Sequence, residues 1–160
     1  MDISAVHASG SVVVDAPPDA LYDFIADMPS IGEISPQCVG GSWEDDARGV
    51  GAYFIGSNVW RERAWKIRVR VVAADPDREF AWENLGDPGE PNRDDIPGLI
   101  RWGYTFEPVD GGTQVEETWR ILRPYTQLEG ATDEDFERLI RNFEHAIAAT
   151  LTNLKARFEA

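Results

Sequence analysis

The sequence has few of the residues that build disulfide frameworks, metal sites and nucleophile sites. Its 160 residues include one cysteine, Cys38, and two histidines, His7 and His145, which lie far apart in the chain. A single cysteine excludes a disulfide framework within the chain and suits a reducing compartment. Two distant histidines supply neither a zinc ligand set nor a catalytic triad. We therefore expect a cytoplasmic protein that uses no metal and no cofactor, with Cys38 as a small buried residue.

Positive charge is also scarce, and long apolar runs are missing. The chain has 15 Lys and Arg against 29 Asp and Glu, which gives a formal net charge of −14. Such a surface repels phosphate backbones and anionic lipids, so we expect no nucleic-acid partner. Because there is no apolar run of about 18 residues, we expect no membrane span. The first residues also lack the basic and apolar regions of a signal peptide.

Glycine and proline are missing from residues 133–158, and this stretch contains the clearest helix pattern. Apolar residues recur there at steps of three or four, at Phe136, Leu139, Ile140, Phe143, Ile147, Leu151, Leu154 and Phe158. This spacing predicts one amphipathic helix of roughly seven turns. Thr132 is placed to cap its first turn. His145 falls opposite the apolar stripe, so we expect it in solvent.

Most of the remaining chain has strand patterns. They predict strands at residues 6–14, 37–43, 51–60, 65–71, 79–84, 100–107 and 114–122. Asp19 is expected to cap a short helix over residues 21–25, and residues 28–36 to form a second short helix or a tight connection. Residues 85–98, rich in proline and glycine, predict a long surface loop, which is either a lid or an excursion without function.

Strands joined by short turns pair antiparallel, and a long amphipathic helix must bury its stripe against the sheet they form. We therefore predict an α+β fold: a curved antiparallel sheet of six to seven strands wrapped on the C-terminal helix, with two short helices after the first strand. The length suits a single domain over residues 1–160.

Several short motifs occur in a characteristic order along the chain. They are Val14-Asp15-Ala16-Pro17-Pro18-Asp19, Ile34-Ser35-Pro36, Gly49-Val50-Gly51, Asp75-Pro76 with Phe80-Ala81-Trp82, and Phe106-Glu107-Pro108 with Gly111-Gly112-Thr113. With this order and spacing the chain resembles the helix-grip proteins of the Bet v 1-like, START-related (SRPBCC) superfamily. Within them it is most similar to the bacterial polyketide cyclase/dehydrase and lipid-transport branch. The resemblance implies a cavity between sheet and helix, but one fold hosts cyclases, carriers, receptors and chaperone activators.

The sequence is rich in aromatic residues, with six Trp, four Tyr and seven Phe. Core packing explains many of them, and an aromatic-lined pocket is the alternative. The residues predicted to contact a ligand are Tyr53, Asn58, Trp65, Trp82, Trp102, Tyr104, Phe106 and Trp119 on the sheet, and Phe143, Ile147 and Leu151 on the helix. Asn58 has the opposite strand parity to Tyr53, so its direction stays open.

One carboxylate stands in an apolar setting. Glu117 shares a predicted strand face with Val115 and Trp119, and burial there would raise its pKa because desolvation disfavours the charged form. Such a carboxyl can act as a general acid or base, or anchor a ligand hydroxyl. The alternatives are a pair with an arginine or a position at the cavity mouth.

The candidate catalytic set is Glu117 with Tyr104 and Arg61. The arginine rests on the resemblance alone, because in cyclase relatives an arginine near this place helps to hold polyketide carbonyls. A charged hairpin tip that is simply solvated is the other interpretation.

Three functions therefore remain open. The first is a carrier that binds a hydrophobic, aromatic or polycyclic small molecule. The second is a polyketide cyclase, aromatase or dehydratase acting in the same cavity. The third is an interaction module of the chaperone-activator type, with a filled interior and an exposed apolar patch. The lack of a catalytic constellation favours the first, in a monomer or homodimer.

Overall fold

The computed structural model of the protein describes residues 1–89 and 97–160. Its strands are β1 (His7–Val14), β2 (Cys38–Trp43), β3 (Tyr53–Trp60), β4 (Arg63–Asp75), β5 (Glu79–Gly86), β6 (Ile100–Val109) and β7 (Gly112–Ile121). Its α-helices are α1 (Pro18–Ala26) and α2 (Asp133–Glu159). Short 3-10 turns lie at Ile3–Ala5, Met28–Glu33 and Thr126–Leu128.

The strands form one antiparallel sheet in the order β1-β7-β6-β5-β4-β3-β2. Consecutive strands are neighbours except for β1, which pairs with β7. Register shifts interrupt the β2–β3 and β4–β5 pairs, and such bulges bend a sheet. The predicted α+β helix-grip fold, with its long C-terminal helix and short helices after the first strand, is confirmed.

The start of α2 is fixed by a reciprocal cap. The Thr132 hydroxyl accepts from the Asp135 N–H at 3.1 Å, and the Asp135 carboxylate accepts from the Thr132 N–H at 2.9 Å. This satisfies two amides that the first helical turn would otherwise leave free. The predicted cap is therefore confirmed. His145 is exposed, also as expected.

The helix α2 packs on β1 and β7 at a glycine. A Cβ atom at Gly10 would lie 2.9 Å from Ile147 Cγ2, which is closer than side-chain atoms approach. Gly10 lies opposite Glu117 in the β1–β7 ladder. The glycine therefore lets α2 approach the sheet beside the Glu117 side chain.

The structure corrects one local prediction. Asp19 does not cap α1, because Pro17 occupies the capping position and Pro18 the first helical position. A proline with fixed φ and no N–H suits that position, so the helix starts earlier than the aspartate predicts. The Asp19 carboxylate instead accepts from the Ala20 N–H at 2.8 Å in the first turn.

Part of the predicted loop at residues 85–98 cannot be compared with the structure. Its first two residues end β5, and residues 90–96 lie outside the described residues, so the expected lid lies there as well. Within the described ranges, no helix is both long enough and apolar enough to cross a bilayer.

Candidate ligand-binding cavity

A cavity of about 240 Å³ lies between the sheet, α2 and the turn Met28–Glu33. Seven aromatic side chains line it: Phe54, Trp65, Trp82, Trp102, Tyr104, Trp119 and Phe143. The polar lining residues are Ser35, Gln37, Cys38, Asn58, Asn84, Glu117 and Thr150. The described lining residues include one glutamate, Glu117, and no aspartate, lysine, arginine or histidine. A mostly apolar wall with a few polar groups is typical of small-molecule sites.

The alternation of side chains along each strand places these residues on the face of the sheet that borders the cavity. In β4, Trp65, Ile67 and Val69 line the cavity, whereas Lys66 and Arg68 lie on the outer face. Trp102 of β6 is paired directly with Trp119 of β7, and in turn with Trp82 of β5. A row of three indoles therefore crosses the middle of the sheet along one wall of the cavity.

The helix supplies the facing wall through a few residues. Phe143 stacks on Trp119 with ring centroids 4.0 Å apart, and it meets Trp102 edge to face at 5.6 Å. Ala146 and Thr150 line the cavity one and two turns further on. The Thr150 hydroxyl donates to the Ala146 carbonyl at 2.9 Å, so its hydrogen-bonding capacity is partly used within the helix.

Glu117 is a carboxyl group enclosed by apolar and aromatic side chains, with 3% of its surface exposed. Burial raises the pKa of Glu117 from 4.5 to about 8, and an interaction with the Tyr104 hydroxyl acts against this shift. Tyr104 lies directly opposite Glu117 in the β6–β7 ladder. Burial, with the Glu117 charge as the second cause, raises the pKa of Tyr104 well above its ordinary value. Both groups are therefore largely neutral at neutral pH.

Two buried polar atoms in this wall have no hydrogen-bond partner among the described residues. They are Glu117 Oε2 and Trp119 Nε1. Buried polar groups in folded proteins are nearly always paired, because an unpaired group loses its hydrogen bonds to water without replacement. Two of the residues that line the cavity thus carry an unpaired donor and an unpaired carboxyl oxygen.

A comparison with models of protein families shows to which family the chain belongs. The model of the family described as "Polyketide cyclase / dehydrase and lipid transport" matches residues 5–159. The chain belongs to this family. The resemblance drawn from the sequence motifs is therefore confirmed.

Solved structures share the fold of this family member. The solution structure of the Polyketide_cyc-like protein Cgl2372 from Corynebacterium glutamicum is 28% identical, with a TM-score of 0.66, 96% of this chain and 91% of that chain covered. StfQ, a di-domain ARO/CYC from the steffimycin biosynthetic pathway, is 17% identical, with a TM-score of 0.72. There the match covers 96% of this chain and 50% of StfQ.

A third similar structure is the Aha1 dimer from Colwellia psychrerythraea. It is 16% identical, with a TM-score of 0.64, and 96% of each chain is covered. Identities this low show a common fold and no more. No curated protein has a sequence that matches this chain.

The cavity contains most of the residues that the sequence singled out. The predicted residues that line it are Asn58, Trp65, Trp82, Trp102, Tyr104, Glu117, Trp119 and Phe143. Asn58, whose direction the sequence left open, lies on the inner face of β3 with Phe54. Glu117 and Tyr104 of the candidate catalytic set are adjacent in the cavity wall.

The structure places other predicted residues away from the cavity. Tyr53 lies on the outer face of β3, where the Arg68 guanidinium is 4.2 Å from its ring centroid. Arg61 is exposed at the tip of the β3–β4 hairpin, with a left-handed φ of 57°. Its position on the turn, rather than on a strand, keeps it from joining Glu117 and Tyr104 in the wall.

Three further predicted residues lie in the apolar core beside the cavity. Phe106 is on the expected face of β6, but it packs edge to face against Tyr22 of α1 at 5.8 Å. Ile147 and Leu151 are buried where α2 meets Gly10 of β1. Alternation identifies the face of an element, whereas the position along it decides whether a side chain meets the cavity or the core.

Several lining residues were missed by the sequence analysis. They include Met28, Ile31, Ser35, Pro36, Gln37, Asn84, Ile100, Ala146 and Thr150. Asn84 follows Trp82 by two residues on one strand, and Ala146 follows Phe143 by three on the helix, so periodicity could have found both. The turn residues carry no periodic signal. Cys38, expected to be buried, is half-buried in the wall, where burial raises the pKa of its thiol.

The described part of the chain contains no cluster of potential metal ligands. No group of three or more histidine, cysteine, aspartate or glutamate residues comes together there.

Proposed function

We propose that the protein binds a compact, hydrophobic and aromatic small molecule in the cavity between sheet and helix. The observation that carries this proposal is the enclosure of about 240 Å³ by seven aromatic side chains. Aromatic walls favour flat ligands, because offset and edge-to-face ring contacts add to the gain from burying apolar surface. Membership in a family that includes lipid transport and cyclase proteins supports the same conclusion.

The size of the cavity limits the ligand. An engineered apolar cavity of about 150 Å³ holds benzene, and pockets for drug-sized ligands have about 300–1,000 Å³. The cavity here lies between these sizes, which suits two or three fused rings. Its open volume also favours a ligand-binding protein over an interaction module with a filled interior.

Direct binding tests this proposal. Native mass spectrometry of the purified protein, followed by organic extraction, identifies any molecule that co-purifies. Titration with benzene, naphthalene and anthracene should quench tryptophan fluorescence, because four tryptophans line the cavity. We expect naphthalene to bind more tightly than benzene.

A variant with a blocked cavity is the matched control for the titration. A Cβ atom at Gly56 meets no atom closer than 3.7 Å, so Gly56→Leu fills the cavity without a backbone clash. We expect a folded protein that no longer responds to naphthalene. An equal response of this variant and the wild type would mean that the rings bind elsewhere and would contradict the proposal.

The environment of Glu117 favours a second candidate function, a cyclase or dehydratase reaction on a ligand in the same cavity. A carboxyl whose pKa is about 8 can both give and take a proton near neutral pH. The cavity walls would supply the rest of the rate by holding the reacting carbons together.

Substitution of Glu117 by glutamine separates the two candidates. If the protein is an enzyme, Glu117→Gln should lower turnover by about 10²–10⁴-fold, the usual contribution of a general acid or base. If it only binds, the same change should alter affinity and no turnover should be found in either protein. The substrates to try first are the molecules recovered by extraction.

A further inference from the structure

We infer that Glu117 and Trp119 form a polar site in the cavity wall, where together they hold a hydroxyl group of an aromatic ligand. This inference rests on the proposed function and names the ligand class more closely: a neutral phenol or aryl alcohol rather than a plain hydrocarbon.

The inference starts from the two unpaired atoms. Trp119 has 0% of its surface exposed and Glu117 has 3%, and neither Nε1 of the indole nor Oε2 of the carboxyl has a partner among the described residues. Both residues line the cavity. They lie two residues apart on β7, so they share one face of the strand, with Cα atoms about 6.5 Å apart.

A hydroxyl group complements both atoms at once. Its oxygen accepts from the Trp119 N–H, and its hydrogen donates to the Glu117 carboxyl oxygen. A carbonyl or ether oxygen can accept hydrogen bonds but has no hydrogen to donate to the carboxyl oxygen, and a hydrocarbon leaves both groups unpaired. An anionic ligand suits the site poorly, because the described lining residues include no lysine, arginine or histidine to balance its charge.

The surroundings of Glu117 support a neutral ligand as well. Gly10 and Tyr104 flank it in the neighbouring strands, and Ile147 packs over Gly10. This enclosure favours the protonated carboxyl at neutral pH, which can exchange hydrogen bonds with a hydroxyl without a counter-charge.

Three ligands of nearly equal shape test the inference. Naphthalene has no hydrogen-bonding group, 2-methoxynaphthalene has an acceptor, and 2-naphthol has both a donor and an acceptor. With wild-type protein at pH 6.5, we expect calorimetry to give 2-naphthol at least about tenfold tighter binding than naphthalene, with the methyl ether between them.

Two variants test whether the preference for naphthol over naphthalene depends on Glu117 and Trp119. Glu117→Leu and Trp119→Phe should each bring the affinities of naphthol and naphthalene closer together, and the phenylalanine keeps a ring against Phe143. Thr118→Val is the control, because it lies between the two residues on β7 but outside the cavity lining. It should leave the preference for naphthol unchanged.

The possible outcomes separate this inference from the proposed function. Equal binding of all three ligands to the wild type would overturn the polar site and leave the cavity as a binding site. A naphthol preference that survives in both Glu117→Leu and Trp119→Phe would also overturn it. If none of the three ligands binds, the proposed function fails and the inference fails with it.

Discussion

Trp119 of β7 and Phe143 of α2 lie face to face, with ring centroids 4.0 Å apart and ring planes 14° apart. Such aromatic pairs contribute about 0.5–1.5 kcal/mol beyond the burial of their surface. This pair joins the sheet to the helix at the cavity wall, next to the unpaired indole N–H. One contact therefore serves both the stability of the fold and the shape of the candidate site.

Removal of the Phe143 ring should affect both properties. Because Phe143 is half-buried, we expect Phe143→Ala to lower the free energy of unfolding by about 2–3 kcal/mol, less than a fully buried phenylalanine would lose. Urea unfolding measures this loss. We also expect weaker binding of naphthalene, since the facing wall of the cavity disappears.

The matched control for this change is Phe158→Ala. Phe158 is also a half-buried residue of α2, and it packs edge to face on Phe24 at 5.5 Å outside the cavity lining. Its removal should cost similar stability and leave naphthalene binding intact. If both variants lose affinity equally, the stack with Trp119 has no special part in binding.

Glu117 should make stability depend on pH in an unusual direction. The pKa of its carboxyl is about 8 in the folded protein and near 4.5 when exposed, so between these values the folded state alone keeps the proton. The wild type should therefore lose stability as pH rises from 5 to 8, by up to about 1.4 kcal/mol per pH unit, and the loss should be complete above pH 8.

Glu117→Gln isolates this effect from all other titrations. The stability difference between the variant and the wild type should grow in favour of the variant from pH 5 to pH 9, as thermal unfolding measures. A flat difference would mean that the Glu117 carboxyl ionises freely in the folded protein.

Removal of the Tyr104 hydroxyl should change the pKa of Glu117 and with it the pH dependence of stability. Its interaction with Glu117 holds the pKa of the carboxyl lower than burial alone would. We therefore expect Tyr104→Phe to raise the pKa of Glu117 above about 8. The stability difference between the Tyr104→Phe protein and the Glu117→Gln protein should then level off at a higher pH than the difference between the wild type and Glu117→Gln. A shift to lower pH would show that the tyrosine hydroxyl does not stabilise the carboxylate.

Gly10 should tolerate no side chain. Because a Cβ atom there would press on Ile147 Cγ2, we expect Gly10→Ala to destabilise the fold by about 1–3 kcal/mol, the usual cost of overpacking. Gly56→Ala makes ordinary contacts and should change stability by less. Urea unfolding of both variants compares them, and equal stabilities would contradict the close approach of α2 to β1.

Side-chain alternation predicts the inner face of the sheet for most of the strands. The β6–β7 pair has no register shift, so alternation placed Trp102, Tyr104, Glu117 and Trp119 on the inner face correctly. It failed in β3, because an aromatic ring is no guide to the inner face when it packs against an arginine outside, as Tyr53 does.

Periodicity also does not show how far along a strand or helix the cavity begins and ends. Phe106 and Ile147 lie on the faces that their patterns indicate, yet neighbouring elements cover them. The turn Met28–Glu33 escaped prediction as a cavity wall for a related reason: its place depends on packing against β2, which no periodic pattern encodes. There Gly32 comes so close that a Cβ atom would lie 2.7 Å from the Gly40 nitrogen.

The wall formed by that turn is attached to the far end of α2. Asn153 donates to the Ile34 carbonyl at 2.9 Å, and the Arg157 guanidinium lies 3.0 Å from the Glu33 carboxylate. Neither Asn153 nor Arg157 lines the cavity. The space open to a ligand is thus held in part by residues that the ligand never touches. Substitutions in the last two turns of the helix can therefore change which molecules fit, although every lining side chain stays the same.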